Sequence, residues 1–404
     1  MSLPRRKTAL FVRASLQLGG ADRLVLTEAL ALANAGWSVE IWVNENRIET
    51  HLEESRDQRI KIRQYPTRIP LYVAGAPRNG CRLLRQWLLV LKMAKTVTAP
   101  ALFVVDECEH SAWWLRQRFP ETPIIYYCNS LQVPSDSPAN FLRAWYRGHL
   151  ERLRAKALLA TQAIAFNSKF IRAAAMNTWP FLSDRNLAVM YPGTSISSVV
   201  HREAIPSEKI FLCLGRISPE KRLDVSITAL AKMRAHLTAA QFASCRLVIA
   251  GGYSQDDAVQ KNTLNTLTKL SAGLGLGDSV EFCLNLDDEA VANLRAKSFA
   301  LVHPMPDEHF GLAPIEAMAC GLPVLAVNNG GPAETVVDGV TGALRPFDGE
   351  AFAQVMAEWV QNPAKAYALG QAGRECVAAH FSLGKFERDF VALAEKLVAN
   401  PFRS

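Results

Sequence analysis

The sequence lacks the cysteine spacing that stabilises small secreted domains or binds zinc. Its eight cysteines include no C-x-x-C pair, and the two nearest, Cys108 and Cys128, are 20 positions apart. Disulfide frameworks and structural zinc sites need more closely patterned cysteines. Several of these cysteines lie in apolar runs such as FLCLG at 211–215, where a thiol packs as a small hydrophobe. The pattern excludes both classes of protein.

Long apolar runs are also missing. No stretch approaches the roughly 18 apolar residues of a membrane-spanning helix. The first residues, MSLPRRKTALFVRAS, are basic but contain no extended apolar segment and no small-residue cleavage site, so they do not resemble a signal peptide. We therefore predict a cytoplasmic protein that is peripheral on the cytosolic face of a membrane.

A third absence concerns the glycine loop after the first predicted strand. The segment LGGADR at 18–23 joins that strand to a helix. A dinucleotide-binding fold would place the pattern G-x-G-x-x-G there. Because this pattern is missing, the sequence argues against a dehydrogenase.

Length and segment pattern indicate two α/β domains. The chain has 404 residues, of which 49% are hydrophobic. That is more residues than a single domain with one hydrophobic core usually contains. Strand-like and helix-like segments alternate, pause at the polar segment 194–208, and resume. Such alternation predicts parallel sheets with helices on both faces. We assign 1–200, joined by a C-terminal helix at about 382–404, to the first domain and 201–381 to the second.

The segment 304–323, PMPDEHFGLAPIEAMACGLP, is the most informative part of the sequence. It places Glu308 in a loop after a predicted strand and Glu316 on the first turns of the following helix. Gly311 allows a ligand to approach the main chain near a helix N-terminus, where a diphosphate is favoured. A carboxylate can accept hydrogen bonds from vicinal hydroxyls, which suits Glu316 to a ribose and Glu308 to a hexose. The alternative is a carboxylate that only interacts with the helix dipole.

Two cations follow the first predicted strand of the second domain. Arg216 and Lys221 stand between that strand and a helix. They could hold a donor diphosphate and stabilise the charge of the leaving group; a solvated pair is the alternative. Further along the chain, the main-chain N–H groups of Gly330 and Gly331 could bind the phosphates or the sugar of such a ligand. The two glycines could also form a tight turn, and both roles can hold together.

These segments resemble the retaining glycosyltransferases of family 4, which have the GT-B fold. The segment 304–323 is similar to the family's E-x7-E motif, and GRISPEKR at 215–222 to its G-R-x-x-x-x-K turn. NNGGPAE at 328–334 and DGVTG at 338–342 are similar to the loops that follow. The resemblance extends over nearly the whole chain. It implies two facing Rossmann-like domains, an active site in the cleft between them, retention of anomeric configuration and no metal requirement.

The resemblance also assigns residues. Arg216, Lys221 and Glu308 are expected to be catalytic. The residues expected to contact the donor are Gly19, Gly20, Gly215, Arg216, Lys221, His309, Phe310, Gly311, Leu312 and Glu316. Asp106 and Asn129, after predicted strands of the first domain, are expected on the acceptor side. The mannosyltransferases of this family that the sequence resembles have a histidine at the position of Asn129.

Within the family, the chain also resembles mannosyltransferases that extend lipid-linked oligosaccharides for protein glycosylation. FNSKF at 166–170, LVIAGGY at 247–253 and VNNGGP at 327–332 contribute to this similarity. It implies GDP-mannose as the donor and an α-1,3 linkage, with an added α-1,6 linkage in the similar enzymes. Three alternatives stay open: a UDP-sugar transferase of cell-surface polysaccharide synthesis, an epimerase or phosphorylase of the same fold, and a non-catalytic scaffold.

The charge distribution indicates an anionic partner for the first half. Residues 1–200 contain 26 Lys and Arg against 15 Asp and Glu, a net charge of +11, whereas residues 201–404 have a net charge of −4. Arg78, Arg82, Arg85 and Lys92 recur on one face of a predicted helix that also contains Trp87. Basic amphipathic helices of this kind are typical of proteins that bind anionic membrane surfaces. The alternative is that the basic face of the helix is only exposed to solvent. The predicted partners are a nucleotide sugar, a lipid-linked glycan and a membrane, without nucleic acid.

Overall fold

The structure is a computed structural model that describes residues 7–16, 20–46, 57–69, 72–73, 76–77, 79–107, 109–131, 141–195 and 205–400. The chain divides into two compact units, Met1–Pro192 with Phe386–Ser404, and Gly193–Lys385. The second unit begins before the predicted boundary because the main chain at Thr194 bonds to that of Phe381 and forms a bridge with Ser382. The acceptor and donor roles of the two domains stay predictions.

The first unit contains a seven-stranded sheet in its described part, with the order β3-β2-β1-β6-β7-β8-β9. All of its strand pairs are parallel. Its strands are β1 Thr8–Leu16, β2 Ser38–Asn46, β3 Ile60–Gln64, β6 Leu102–Asp106, β7 Ile124–Cys128, β8 Ala163–Phe166 and β9 Leu187–Val189. A separate antiparallel pair consists of β4 Tyr72–Val73 and β5 Ala76–Pro77.

Helices cover this sheet on both faces, so its central strands are buried along their whole length. The helices between these strands are α1 Gly20–Asn34, α2 Asn79–Thr96, α3 Glu109–Arg118, α4 Phe141–Leu159 and α5 Lys169–Thr178. The side chain of Ser168 accepts from the N–H of Ile171 and so caps the N-terminus of α5.

The second unit contains a six-stranded sheet with the order β12-β11-β10-β13-β14-β15, again with parallel pairs. Its strands are β10 Lys209–Leu214, β11 Cys245–Gly251, β12 Val280–Leu284, β13 Ala300–His303, β14 Val324–Val327 and β15 Gly342–Arg345. Its helices are α6 Leu223–Lys232, α7 Ala239–Ala243, α8 Ala258–Gly273, α9 Asp288–Lys297, α10 Leu312–Ala319, α11 Pro332–Thr335, α12 Gly349–Gln361 and α13 Pro363–His380.

The last helix, α14 Leu383–Ala399, packs in the core of the first unit from Phe386 onward. Phe386, Phe390 and Leu397 are buried with residues of α1 and β1. The ring of Phe386 stands edge-on to that of Tyr127, with 6.3 Å between the centroids. The apolar period of this segment therefore matches one buried helix face.

Two parallel α/β sheets confirm the predicted fold class. The sequence analysis missed two edge strands, β3 and β15. In β3 only Ile60 is fully buried, and its polar residues face outward. β15 has four residues and contains a glycine and an arginine. Edge strands have only one neighbour, so they lack the continuous apolar run that marks a central parallel strand.

The prediction of a basic face on α2 is wrong for one residue. Arg85 is buried, and its guanidinium donates to the carbonyl oxygen of Ile69 at 3.0 Å. The exposed face instead shows Leu84, Trp87 and Leu91, which are 44%, 39% and 38% exposed. Arg78 lies outside the described residues. The helix is amphipathic, but three positions spaced by one helical turn leave an apolar stripe on the surface.

Among the helices of the described ranges, none combines the length and the apolar character that crossing a membrane would need.

Candidate active site

Three loops predicted to contact the donor follow strands that are neighbours in the second sheet. β10 leads into 215–222, β13 into 304–311 and β14 into 328–331. Because these strands are parallel, their carboxyl ends lie along one edge of the sheet. That edge is where ligands of such sheets bind.

Lys221 and Glu308 meet at this edge. The ammonium of Lys221 lies 2.7 Å from Oε2 of Glu308, although 87 positions separate the residues in the chain. Nε2 of His303 lies 3.2 Å from the same oxygen, and the main-chain N–H of His309 donates to Oε1 at 3.1 Å. Burial alone would raise the pKa of Glu308, but His303 and Lys221 outweigh it and hold that pKa well below its usual range.

The two predicted cations differ in their surroundings. The side chain of Lys221 is 19% exposed and already has an anionic partner, whereas that of Arg216 is 67% exposed. Arg216 lies 3.3 Å from Glu220, which is itself exposed. Exposed ion pairs of this kind are weak. The guanidinium of Arg216 can therefore exchange this partner for an incoming phosphate.

The glycines at 330 and 331 bring two loops together. Gly330 has a φ of +67°, and a Cβ there would lie 2.3 Å from the carbonyl oxygen of Glu308. The N–H of Gly331 donates to that oxygen at 2.8 Å, and a Cβ at Gly331 would lie 2.2 Å from Cα of Phe310. The amide of Gly331 thus holds the Glu308 loop. Both glycines serve close packing, which is the tight-turn role considered above.

The remaining donor-side residues lie around the start of α10. Gly311 precedes this helix with a φ of +91°, and Leu312 is its first residue. The side chain of Phe310 is buried, with its ring 6.2 Å from that of Phe381, so the loop can offer a ligand only the main chain there. Burial lowers the pKa of His309, which leaves its imidazole neutral at pH 7.

Glu316, predicted to hold a ribose, has a cationic partner. Its Oε2 lies 2.6 Å from a guanidinium nitrogen of Arg295 on α9, and both side chains are largely buried. The sequence analysis missed Arg295 because the contact joins two helices. It also missed Gly251, where a Cβ would lie 1.7 Å from the carbonyl oxygen of Gly215. Gly215 therefore sits in a turn that a neighbouring strand end holds in place.

The predicted acceptor-side residues lie together in the first unit. Asp106 ends β6 and Asn129 follows β7, and Nδ2 of Asn129 donates to Oδ1 of Asp106 at 2.8 Å. Asp106 is buried beside Arg13, which the sequence analysis missed. Gly20 begins α1, whereas Gly19 lies outside the described residues.

Within the described ranges, no group of three or more His, Cys, Asp or Glu side chains is placed to hold a metal ion. The expectation of a metal-free reaction stays a prediction.

Solved structures of similar fold agree with this architecture. Sucrose-phosphate synthase from Thermosynechococcus elongatus gives a TM-score of 0.80 at 23% identity over 98% of this chain and 100% of that chain. WaaG, a glycosyltransferase involved in lipopolysaccharide biosynthesis, gives 0.68 at 19% identity over 96% and 98%. At these identities the similarity shows the fold alone. The two parallel-sheet units therefore have the GT-B fold.

Sequence comparison gives the family. The profile described as Glycosyl transferases group 1 matches residues 200–376. Alpha-1,3/1,6-mannosyltransferase alg-2 of Neurospora crassa is 31% identical over 87% of this chain and 82% of its own length. Human alpha-1,3/1,6-mannosyltransferase ALG2 is 29% identical over 98% and 97%. The chain therefore belongs to the group 1 glycosyltransferases and is an enzyme related to the alpha-1,3/1,6-mannosyltransferases.

Proposed function

We propose that this enzyme transfers mannose from GDP-mannose to a lipid-linked oligosaccharide and forms an α-1,3 linkage, with an α-1,6 linkage as a second product. The relatives support the sugar and the linkages, since they are named for α-1,3/1,6 mannosyl transfer. Within the molecule, the observation that best supports the proposal is the direct contact of Lys221 with Glu308 at the strand ends. GDP and the lipid-linked acceptor rest on the resemblance of the motifs.

Arg216 and Lys221 bind the donor diphosphate in this account. A guanidinium can hold two phosphate oxygens at once, and the exposed side chain of Arg216 is open to such a ligand. The ammonium of Lys221 is less exposed and lies against Glu308. Lys221 therefore acts closest to the bond that breaks, where it stabilises the negative charge that develops on the leaving phosphate.

Glu308 and Glu316 orient the two sugars of the donor. Glu308 is held at both oxygens by His303, Lys221 and the N–H of His309, and its carboxylate has further lone pairs for mannose hydroxyls. Arg295 fixes Oε2 of Glu316, so that this carboxylate can accept from ribose hydroxyls in one orientation.

The reaction that follows has one bond broken and one formed at the anomeric carbon. The bond from C1 of mannose to the diphosphate oxygen breaks with its electron pair leaving on the diphosphate. The acceptor hydroxyl forms the new bond on the same face, and its proton passes to the leaving phosphate oxygen. Positive charge from Arg216 and Lys221 supports this departure, so we propose a reaction without a metal ion.

We assign donor binding to residues 201–381 and acceptor binding to residues 1–200 with 382–404. The acceptor's lipid implies a membrane, and we propose peripheral contact on its cytosolic face through α2. Leu84, Trp87 and Leu91 are exposed on that helix, next to the exposed cation Lys92. An apolar stripe flanked by positive charge fits the headgroup region of an anionic bilayer.

Ligand-induced thermal stabilisation tests the donor. A ligand that binds only the folded state at a hundred times its Kd stabilises by about 2.7 kcal/mol. We expect GDP-mannose to raise the melting temperature and the Glu316→Ala variant to lose this shift. Glu375→Ala, which changes an exposed glutamate of α13, should keep it.

The same panel separates the alternatives. Stabilisation by a UDP-sugar but not by GDP-mannose would overturn the mannosyl proposal in favour of polysaccharide synthesis. Absence of stabilisation by GDP-, UDP- and ADP-sugars alike would favour a non-catalytic scaffold.

A further inference from the structure

The first unit contains a buried guanidinium that the roles above do not use. The side chain of Arg13, in β1, is 2% exposed. It contacts the carboxylates of Asp22 and Glu107, each at 3.1 Å, and that of Asp106. Its Nε donates to the carbonyl oxygen of Ser15 at 2.8 Å. A guanidinium presents five donors in a rigid fork, so Arg13 joins the start of α1 to the end of β6.

Asp106 transmits this fixed geometry to Asn129. One carboxylate oxygen of Asp106 accepts from Arg13, and the other accepts from Nδ2 of Asn129 at 2.8 Å. An ionised carboxylate only accepts hydrogen bonds. It therefore selects the N–H end of the Asn129 amide and turns the amide oxygen Oδ1 away from itself.

Asn129 is held through its main chain as well. Nδ2 of Asn167 donates to the carbonyl oxygen of Asn129 at 2.8 Å. The residue is half-buried and directly follows β7. Its amide thus has one orientation at the carboxyl edge of the sheet, where ligands of parallel α/β sheets bind.

The residue next to Asp106 has a disfavoured backbone. Glu107 has a φ of +55°, in the left-handed region that non-glycine residues rarely adopt. Arg13 binds its side chain, and Arg82 donates to its carbonyl oxygen at 2.9 Å. Strained positions that neighbours hold in place cluster at ligand-binding sites. The strain is a second observation that marks this strand end as functional.

We propose that Asp106, clamped by Arg13, is a positioning residue for the acceptor: it fixes the Asn129 amide so that Oδ1 accepts a hydrogen bond from an acceptor hydroxyl. This inference rests on the proposed function, which gives the first unit the acceptor. It changes the predicted role of Asp106, because a buried carboxylate with both oxygens engaged acts through Asn129.

A double-mutant cycle on acceptor affinity tests the inference. Titration calorimetry at pH 8 would measure the Kd of a short-chain lipid-pyrophosphate-linked oligosaccharide for the full chain and for Asp106→Asn, Asn129→Ala and the double variant. Burial raises the pKa of Asp106 to about 7, against the opposing charge of Arg13, so the carboxylate is ionised at this pH. We expect each single variant to weaken acceptor binding roughly tenfold, the size of one lost hydrogen bond.

The acceptor Kd of the double variant distinguishes a positioning role of Asp106 from a purely structural one. If Asp106 acts only through Asn129, Asp106→Asn has no further effect in the Asn129→Ala background, so the double variant also binds about tenfold more weakly. A purely structural effect of Asp106 would multiply with that of Asn129, to roughly a hundredfold. Glu40→Gln is the matched control, since it makes the same acid-to-amide change in this unit at a carboxylate that accepts from an arginine, Arg63, at 2.8 Å. Its acceptor Kd should equal that of the wild type.

Three results would overturn the inference: wild-type acceptor affinity in Asn129→Ala, multiplied effects in the double variant, or no acceptor binding by the wild type. If Asp106→Asn does not fold, Asn129→Ala and the more conservative Arg13→Lys still decide, because both should weaken acceptor binding. The Kd of GDP-mannose, measured on the same samples, separately tests the proposed donor. It should be the same for every variant of the cycle.

Discussion

Glu308 has three partners on one carboxylate, and they determine how Lys221 can act. His303 and Lys221 approach Oε2, and the N–H of His309 donates to Oε1. Because these groups hold the pKa of Glu308 well below its usual range, the carboxylate is ionised at neutral pH and gives Lys221 a counter-charge before the donor binds. In the proposed reaction, the donor diphosphate shares the ammonium of Lys221.

Glu28 leads to a prediction for stability against pH. Its side chain is fully buried in α1, and burial, with the charge of Asp106, raises its pKa well above the usual range against the opposing charge of Arg13. In the unfolded chain this carboxyl has a pKa of about 4.3. Its contribution to stability is therefore complete below about pH 4.3 and is lost as the pH rises towards the folded-state pKa.

Glu28→Gln should therefore flatten the fall in the free energy of unfolding of the first unit between pH 5 and pH 8. One such group contributes at most about 1.4 kcal/mol per pH unit. Urea unfolding followed by tryptophan fluorescence reports mainly this unit, which contains seven of the eight tryptophans. Glu395→Gln, at an exposed position of α14, should keep the wild-type slope. Equal slopes for wild type and Glu28→Gln would refute this account.

At the scale of elements, α2 combines a buried face with an exposed apolar stripe. Gln86, Leu89 and Met93 are buried, whereas Trp87 and Leu91 are exposed. Since this helix has no acidic residue and ends near Lys95, its surface suits a negatively charged bilayer.

The double change Trp87→Ser and Leu91→Ser should weaken binding to anionic vesicles roughly tenfold or more, because each large apolar side chain contributes about 1 kcal/mol or more when inserted. Vesicle sedimentation with and without anionic lipid measures this effect. Val259→Ser is the control, since Val259 is 58% exposed on α8 of the other unit. Equal vesicle binding by wild type and double variant would rule out α2 as the contact.

The sequence predicts the central strands and the strand-end loops, but not the side-chain contacts between distant parts of the chain. Central strands such as β6 and β13 are continuous apolar runs, so their existence and their parallel pairing could be predicted. The position of Lys221 and Glu308 in loops that follow strands could be predicted, because each lies in a local motif. Arg13, His303 and Arg295 could not, since their roles come from contacts across the sheet or between helices. Arg13 and Asp106, for example, are 93 positions apart.

At the scale of the whole molecule, the two units repeat one architecture with different charges at their strand ends. The second unit places Lys221 and Glu308 after β10 and β13, whereas the first places Asp106 at the end of β6 and Asn129 after β7. In both, neighbouring parallel strands bring together residues that are distant in sequence. The basic first half fits the anionic lipid-linked acceptor that we propose for it.

The most direct test of mannosyl transfer is the product formed from GDP-mannose and a lipid-pyrophosphate-linked oligosaccharide by wild type, Lys221→Gln and the control Lys232→Gln. Lys232 is an exposed lysine of α6. We predict an α-linked mannose in the product, identified by NMR, and a kcat about 100 to 1,000 times lower for Lys221→Gln, because the leaving diphosphate loses its nearest cation. Lys232→Gln should match the wild type. No transfer of mannose, a β-linked product, or a wild-type kcat in Lys221→Gln would contradict the account.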